Sequence, residues 1–265
     1  MTNGILIFAQ QTDFDYIKLA EISALRAKKY LKIPISLVTN TNYKNLDNIF
    51  DKVFIVKTKS VQYRNIYDGE KSNSIKWLNF DRHKCYNLSP YDNTLVIDAD
   101  YIISSNHLLY CFNSDKDFLI FNNDYYFIDS PIKDEFKYIN EFGVDFYWAT
   151  VFFFKKTEKN RLFFTLIEYI RNNWEYYRAL YSINDIKFRN DFAFSMAINL
   201  MYTKLSSKEF SFIPGKLYYT IDKDSLIYSN DSSLSFLMHN NSCVRTSGLD
   251  IHVMNKNSIL RCLDD

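Results

Sequence analysis

Apolar residues along this chain fall into short blocks, with stretches of helical spacing between them. Gly4-Ile5-Leu6-Ile7-Phe8-Ala9 is a block of strand length, and Thr12 followed by Asp15 has the spacing of a capping box. Ile17, Ala20, Ala24, Ala27 and Leu31 then recur at the helical period, and Pro34-Ile35-Ser36-Leu37-Val38-Thr39 supplies a second strand. Residues 4–39 therefore predict a βαβ unit and, with it, a parallel sheet. Val53-Phe54-Ile55-Val56 reads as a third strand.

Residues 57–75 lose periodicity and turn polar, with Lys57, Lys59, Arg64, Asp68, Gly69, Glu70 and Lys71; a mobile lid and an ordinary surface loop both fit. Ser74 is placed to cap a helix reaching about Leu88, with Leu78, Cys85 and Leu88 inward, before Ser89-Pro90 stops it. Thr94-Leu95-Val96-Ile97 is the β-branched pattern of a strand buried on both faces of a parallel sheet. Phe118-Leu119-Ile120-Phe121 and Ala149-Thr150-Val151-Phe152-Phe153-Phe154 are further buried strands. A helix from about Glu158 to Tyr177 is expected to present Leu162, Leu166, Tyr169 and Trp174 inward, and Arg189-Asn190-Asp191 opens another. From Lys204 onward only short strand-like runs remain. The pattern as a whole predicts an α/β protein with a core over residues 1–203 and a C-terminal extension over 204–265 that completes the site.

Composition narrows the class. With 265 residues, 47% of them hydrophobic and 18% aromatic, the chain can bury a substantial core, and disorder is excluded. Most of the Tyr and Phe residues are expected in that core or at its rim. With only 5 Gly and 4 Pro, and neither GxGxxG nor a P-loop, a glycine-motif nucleotide fold is not indicated. A net charge of +1 gives no global reason to expect nucleic acid or an anionic membrane as partner. Cys85, Cys111, Cys243 and Cys262 lack CxxC spacing, which fits a reducing compartment. No window approaches the roughly 18 apolar residues that cross a bilayer, so a cytoplasmic location is expected.

The chemistry concentrates where the central strand ends. Asp-x-Asp occurs at Asp13/Asp15, Asp98/Asp100, Asp115/Asp117 and Asp222/Asp224, but only Asp98/Asp100 follows a buried strand. Residues two apart in extended chain point the same way, so both carboxylates can address one hard divalent cation in the crevice beyond the strand ends. Asp115/Asp117 and Asp222/Asp224 lie among polar residues and read as solvated turns. Among the four histidines, His83, His107 and His239 fall in contexts of helix surface or loop. His252 is flanked by Ile251 and Val253 in strand alternation and followed by Lys256, which puts a cation ligand near a phosphate-directed ammonium. Asp191 admits two readings, a helix cap or a functional carboxylate.

A strand ending in Asp98-Ala99-Asp100, a late His252 with Lys256 beyond it, and an N-terminal βαβ unit together resemble the GT-A-fold glycosyltransferases, especially family eight, which includes glycogenin. The resemblance covers most of residues 4–256 and implies a single Rossmann-like domain with a mostly parallel central sheet. It implies manganese or magnesium held by Asp98, Asp100 and His252 on the diphosphate of a nucleoside diphosphate sugar. Tyr16 then stacks on the base, with Gln11 and Asp13 nearby, and Arg82 adds positive charge. Asn190 and Asp191 occupy the position of the family's sugar-proximal Asp-Gln-Asp segment. Departures stand beside these matches: Val253-Met254-Asn255-Lys256 lacks the family's Gly and Pro-Trp, and Phe192 replaces its Gln. Trp148-Ala149-Thr150-Val151 and Arg189-Asn190-Asp191 also resemble segments of bacteriophage glycosyltransferases.

The resemblance implies a metal-dependent transferase, retaining as in family eight, that uses a UDP-sugar; the sequence leaves the acceptor open, with a surface glycan, a protein and a hydroxylated base in phage DNA as candidates. Two other classes are compatible with an Asp-x-Asp strand end. One is a haloacid-dehalogenase-like phosphatase, although that motif lies near the N-terminus and continues with Thr or Val where Tyr101 stands here. The other is an aromatic-rich carbohydrate-binding protein holding a structural ion.

Overall fold

The computed structural model describes residues 1–42, 46–57, 61–78, 81–122, 124–126, 137–202, 210–231 and 233–263. In chain order the elements begin β1 (Asn3–Phe8), α1 (Tyr16–Leu31), β2 (Ile35–Thr39), β3 (Lys52–Ile55), β4 (Gln62–Asp68) and β5 (Lys71–Trp77). There follow α2 (Cys85–Leu88), β6 (Asn93–Asp98), β7 (Tyr101–Ile102), α3 (Leu109–Asn113), β8 (Phe118–Ile120), β9 (Asp124–Tyr126) and β10 (Val151–Lys155). The remainder is α4 (Glu158–Asn172), α5 (Trp174–Leu180), α6 (Asn190–Tyr202), β11 (Phe210–Phe212), β12 (Leu217–Thr220), β13 (Ser225–Ser229), β14 (Ser233–Leu237), β15 (Cys243–Ser247), β16 (Ile251–Val253) and α7 (Lys256–Leu263).

Seven strands form the central sheet in the order β11-β8-β10-β6-β1-β2-β3. Pairings among β6, β1, β2 and β3 are parallel, as is β11 with β8, whereas β10 runs antiparallel to both of its neighbours. The sheet is therefore mostly parallel, as the βαβ pattern predicts, with one reversed strand that a continuous apolar run cannot reveal. β7, β16, β12 and β9 form a second sheet. The C-terminal segment thus adds β11 to the first sheet and β12 and β16 to the second; the expected boundary at 203/204 lies outside the described residues.

The core between β8, β10, α4 and α6 is aromatic. Phe118 lies 4.7 Å from Phe163, Phe152 4.8 Å from Phe194, and Phe154 5.0 Å from Phe164, ring centre to ring centre. That packing corrects the expected face of α4. Phe163, Phe164, Ile167 and Ile170 are buried, while Leu162 and Tyr169 are 49% and 57% exposed. Two stripes one residue apart share the helical period, and the one with two Phe buries more apolar area. The helix also breaks at Asn173 before α5 begins.

Three other expectations are corrected. The capping box is not formed: Asp15 is itself the N-cap of α1, its carboxylate accepting from the Lys18 amide at 3.0 Å. No helix starts at Ser74, which lies in β5; among the described residues from there to Ser89, only the turn Arg82–Lys84 and the short α2 are helical. Of the aperiodic stretch, the described residues from Gln62 onward form the antiparallel hairpin β4–β5 around Gly69-Glu70, with Gly69 at φ 63°. Its alternation is faint because only Ile66 and Ile75 are buried in it. Ion pairs hold its tip instead: Asp68 accepts from Arg261 at 2.5 and 2.9 Å, and Glu70 lies 3.0 Å from Lys223.

His83, expected at a surface, is only 4% exposed, and its ring nitrogens have no hydrogen-bond partner. Burial pushes its imidazole down to about 4, so it faces Glu168 at 3.7 Å as a neutral ring. Between its ordinary value of 6.5 and about 4, the unfolded chain takes up a proton that the folded chain refuses, so stability falls as pH drops through that window. Replacing His83 by Leu should flatten the acid side of the stability curve by up to about 3 kcal/mol at pH 4, measured by urea unfolding across pH. A variant with the same pH dependence as the native chain would contradict the assignment.

Candidate functional site

The two sheets meet at Asp98-Ala99-Asp100. β6 ends at Asp98, the chain turns, and Tyr101 opens β7 in the second sheet, where it pairs antiparallel with β16 and lies opposite His252. The Val253 amide donates to the Asp100 carbonyl at 3.0 Å, which locks the two segments together at the turn. Ligand atoms of Asp98, Asp100 and His252 all lie within 4.8 Å of one another, and His252 Nε2 is 3.4 Å from Asp100 Oδ1. A register set by backbone pairing thus carries the imidazole to the carboxylates.

Cations close this cluster from two sides. Lys256, at the start of α7, places Nζ 2.6 Å from Asp100 Oδ2. Arg82 is buried and donates both to Asp98 Oδ1 and to the Ala149 carbonyl. Burial opposes the charge of Asp100, yet Lys256 and His252 outweigh it and hold the carboxyl well below its ordinary range. At Asp98 burial wins and pushes the carboxyl up, against the pull of Arg82. Burial likewise works against Arg82, but Asp98 beside it keeps the guanidinium raised and charged.

Two carboxylates and one imidazole form a donor set suited to a divalent ion of the Mn²⁺ or Mg²⁺ class, and the three sit close enough to share one ion. The other ring nitrogen of His252, Nδ1, is buried without a hydrogen-bond partner. Trp148 packs edge-on against that ring at 5.9 Å and fixes its plane.

Two cavities flank the cluster. The smaller, about 80 Å³, is walled by Phe8, Gln10, Tyr16 and Asp81; the larger, about 340 Å³, by Trp148, Thr150, Lys187, Asn190 and Asp191. Both share Arg64, Trp77, Arg82, Asp98, Asp100 and Lys256, so the charged cluster is the partition between them.

The expected site residues distribute unevenly over this arrangement. Tyr16 lies in the smaller cavity with its hydroxyl buried and unpartnered, and burial pushes the phenol up to about 12. Gln11 instead serves the β1–α1 turn, accepting from the Ile17 amide at 3.3 Å and bonding Asn40 through its main chain. Asp13 is exposed, and neither Gln11 nor Asp13 lines either cavity. Asn190 and Asp191 open α6 beside the larger cavity. Asp191 accepts from the Ala149 amide at 2.9 Å and from Arg189 at 3.0 Å, so its carboxylate ties α6 to the start of β10 rather than to its own helix. With Arg82 on the Ala149 carbonyl, one residue is held from both sides.

Sequence reasoning missed Gln10, Arg64, Trp77, Asp81 and Asp222. Gln10 sits one position before the residue expected from the strand end, and it donates to Asp81 at 3.1 Å. Arg64 and Trp77 arrive on the hairpin. Asp222/Asp224 is not a solvated turn: Asp224 is fully buried and accepts from the Ile221 and His239 amides at 2.9 Å. Asp222 has a buried oxygen without a hydrogen-bond partner, and burial raises its carboxyl against the pull of Lys256 and Arg64.

Neither family models nor curated proteins give a match to this sequence. Solved structures do. The chain is similar to the apo form of the glycosyltransferase GlyE of Streptococcus pneumoniae TIGR4, with 11% identity over 80% of this chain and 45% of that one, at a TM-score of 0.47. A second structure of GlyE matches with 13% identity over 81% of this chain and 45% of that one, at 0.42. An active-site mutant of LgtC matches with 11% identity over 79% of this chain and 72% of that one, at 0.48. The chain thus spans less than half of the GlyE chains it matches.

Lys256→Met keeps the aliphatic stem and removes the ammonium, which leaves Asp100 buried without its nearest cation. The expected cost at pH 7 is about 3–5 kcal/mol by urea unfolding. The stability that Asp100 contributes is present above its ordinary value of 3.8 and is lost as pH falls through its lower folded value. Without Lys256 the folded value rises, so the deficit should shrink between pH 7 and pH 4.5; a deficit that stays constant would contradict the pairing.

Proposed function

We propose that the protein is a metal-dependent glycosyltransferase that moves a sugar from a nucleoside diphosphate sugar, a UDP-sugar in the first instance, to a hydroxyl-bearing acceptor. The observation that carries this reading is the partition. A donor set for one divalent cation and two buried cations separate a small cavity with an aromatic wall from a larger polar one. A nucleoside diphosphate sugar has that sequence of parts: a base, a diphosphate and a sugar.

In this reading Tyr16 and Phe8 receive the nucleoside, and the sugar enters the larger cavity beside Trp148, Asn190 and Asp191. A cation held by Asp98, Asp100 and His252 supplies Lewis-acid neutralisation of charge on the departing diphosphate. Arg82 and Lys256 are preorganised positive charges at the same place, which costs no reorganisation at the moment of transfer. Asp191, held by the Ala149 amide and Arg189, steadies positive charge on the sugar or orients the acceptor hydroxyl. A retaining course, which needs no strong base at the acceptor hydroxyl, is part of this reading and rests on the family resemblance. The acceptor approaches through the same cavity; a surface glycan and a hydroxylated base in DNA are the candidates.

A screen of UDP-sugars with Mn²⁺, reading donor hydrolysis and transfer, tests this. Chelation should abolish turnover, and Asp100→Asn and His252→Ala should each lower it at least ~10²-fold, the scale of losing one electrostatic contact at the leaving group. Asp191→Asn keeps an acceptor for the Ala149 amide and should still lose a comparable ~10²-fold with melting temperature unchanged. Turnover indifferent to chelator would overturn the metal role, and near-normal turnover of Asp191→Asn would leave that residue a tether only.

A further inference from the structure

The cations around the two cavities are not equally committed. Arg82 contacts Asp98, Lys256 lies 2.6 Å from Asp100, and Arg189 lies 3.0 Å from Asp191. Among the described residues no carboxylate forms an ion pair with Arg64, although Asp222 lies near enough to feel its charge. Arg64 is half-buried in β4, and its guanidinium sits over the Trp77 ring of β5 at 5.2 Å. Arg64 and Trp77 both line the two cavities, so the stacked pair borders the partition together with Asp98 and Asp100. The hairpin that carries the pair makes ion pairs with the C-terminal part of the chain. The hairpin tip is clamped to α7 through Asp68 and Arg261, and to the turn after β12 through Glu70 and Lys223.

A solvated surface arginine would not need a stacking platform, a clamped hairpin and a place between two cavities. A guanidinium stacked on an aromatic face keeps its edge donors available, and that planar fork matches phosphate oxygens two at a time. Its neighbours explain why such a donor is wanted. Arg82 and Lys256 share their charge with Asp98 and Asp100, so a bound diphosphate gains from a further cation that these two carboxylates do not pair with.

We propose that Arg64, stacked on Trp77, binds the diphosphate of the donor and closes the partition over it; this rests on the reading of the site as one for a nucleoside diphosphate sugar. The fork directs two donors at the phosphate oxygens where it borders the partition with Asp98 and Asp100. The hairpin is then a specificity element for the diphosphate and not only a cover.

Calorimetric titration of the full chain with Mn²⁺ and inorganic pyrophosphate, and in parallel with Mn²⁺ and UDP, tests this. The native chain should bind both. Arg64→Ala should weaken both by roughly ten- to a hundredfold, the effect of losing hydrogen bonds to a charged group. Arg64→Lys, which keeps the charge but loses the fork, should fall between them. Mn²⁺ binding alone should be unchanged in both variants. Should Arg64→Ala lower the melting temperature, Arg64→Gln serves for the same comparison. Unaltered affinity of the Arg64 variant for both probes overturns the assignment and leaves the function standing. Loss for UDP without loss for pyrophosphate also overturns it, because the contact would then be to the nucleoside. A native chain that binds neither probe with Mn²⁺ sinks the nucleotide-sugar reading itself.

Discussion

Two carboxylates buried two residues apart at the end of a strand are tolerable only if cations or polar partners come to them. Asp98 and Asp100 draw their partners from three separate places. Arg82 comes from the turn before α2, His252 from β16 and Lys256 from the first turn of α7. This requirement ties the second sheet to the first. It explains why β7 leaves the central sheet directly after Asp100, and why β16 pairs with β7 in the register that sets His252 opposite Tyr101. The same network extends outward from Arg82 through the Ala149 peptide to Asp191 and Arg189, so both ends of the larger cavity rest on the charges at the partition.

The parts of this arrangement that were legible in the sequence share one property: a local pattern determines them. The apolar runs that became β1, β2, β6, β8 and β10 are long enough and β-branched or aromatic enough to be unambiguous, and Asp98-Ala99-Asp100 follows one of them directly. His252 was legible because its neighbours alternate. The hairpin was not legible, since its strands bury only Ile66 and Ile75 and are held by Arg261 and Lys223, far along the chain. Asp222 was hidden for a related reason. A polar run looks solvated until tertiary structure closes over it. The face of α4 failed differently, because two stripes shared one period and only the phenylalanines of β8 and β10 could choose between them.

The partition also separates two kinds of wall. Phe8 and Tyr16 line the smaller cavity and Asn190 and Asp191 the larger; in the proposed function the first receives the nucleoside and the second the sugar. Between them Arg82 and Lys256 balance the carboxylates of Asp98 and Asp100. Gln11 and Asp13, which the strand end alone would nominate, face the β1–α1 turn and solvent instead, and Gln10 takes the position inside. One residue of register along an extended chain reverses which side chain points inward.

Direct titration of Mn²⁺ into the full chain, followed by loss of the free-ion signal in electron paramagnetic resonance, tests the central claim that Asp98, Asp100 and His252 form one cation site. The expected result is a single saturable site that is weakened strongly by Asp98→Ala, Asp100→Ala or His252→Ala and left intact by Asp115→Ala. Binding that survives all three substitutions, or no saturable binding by the native chain, would contradict it.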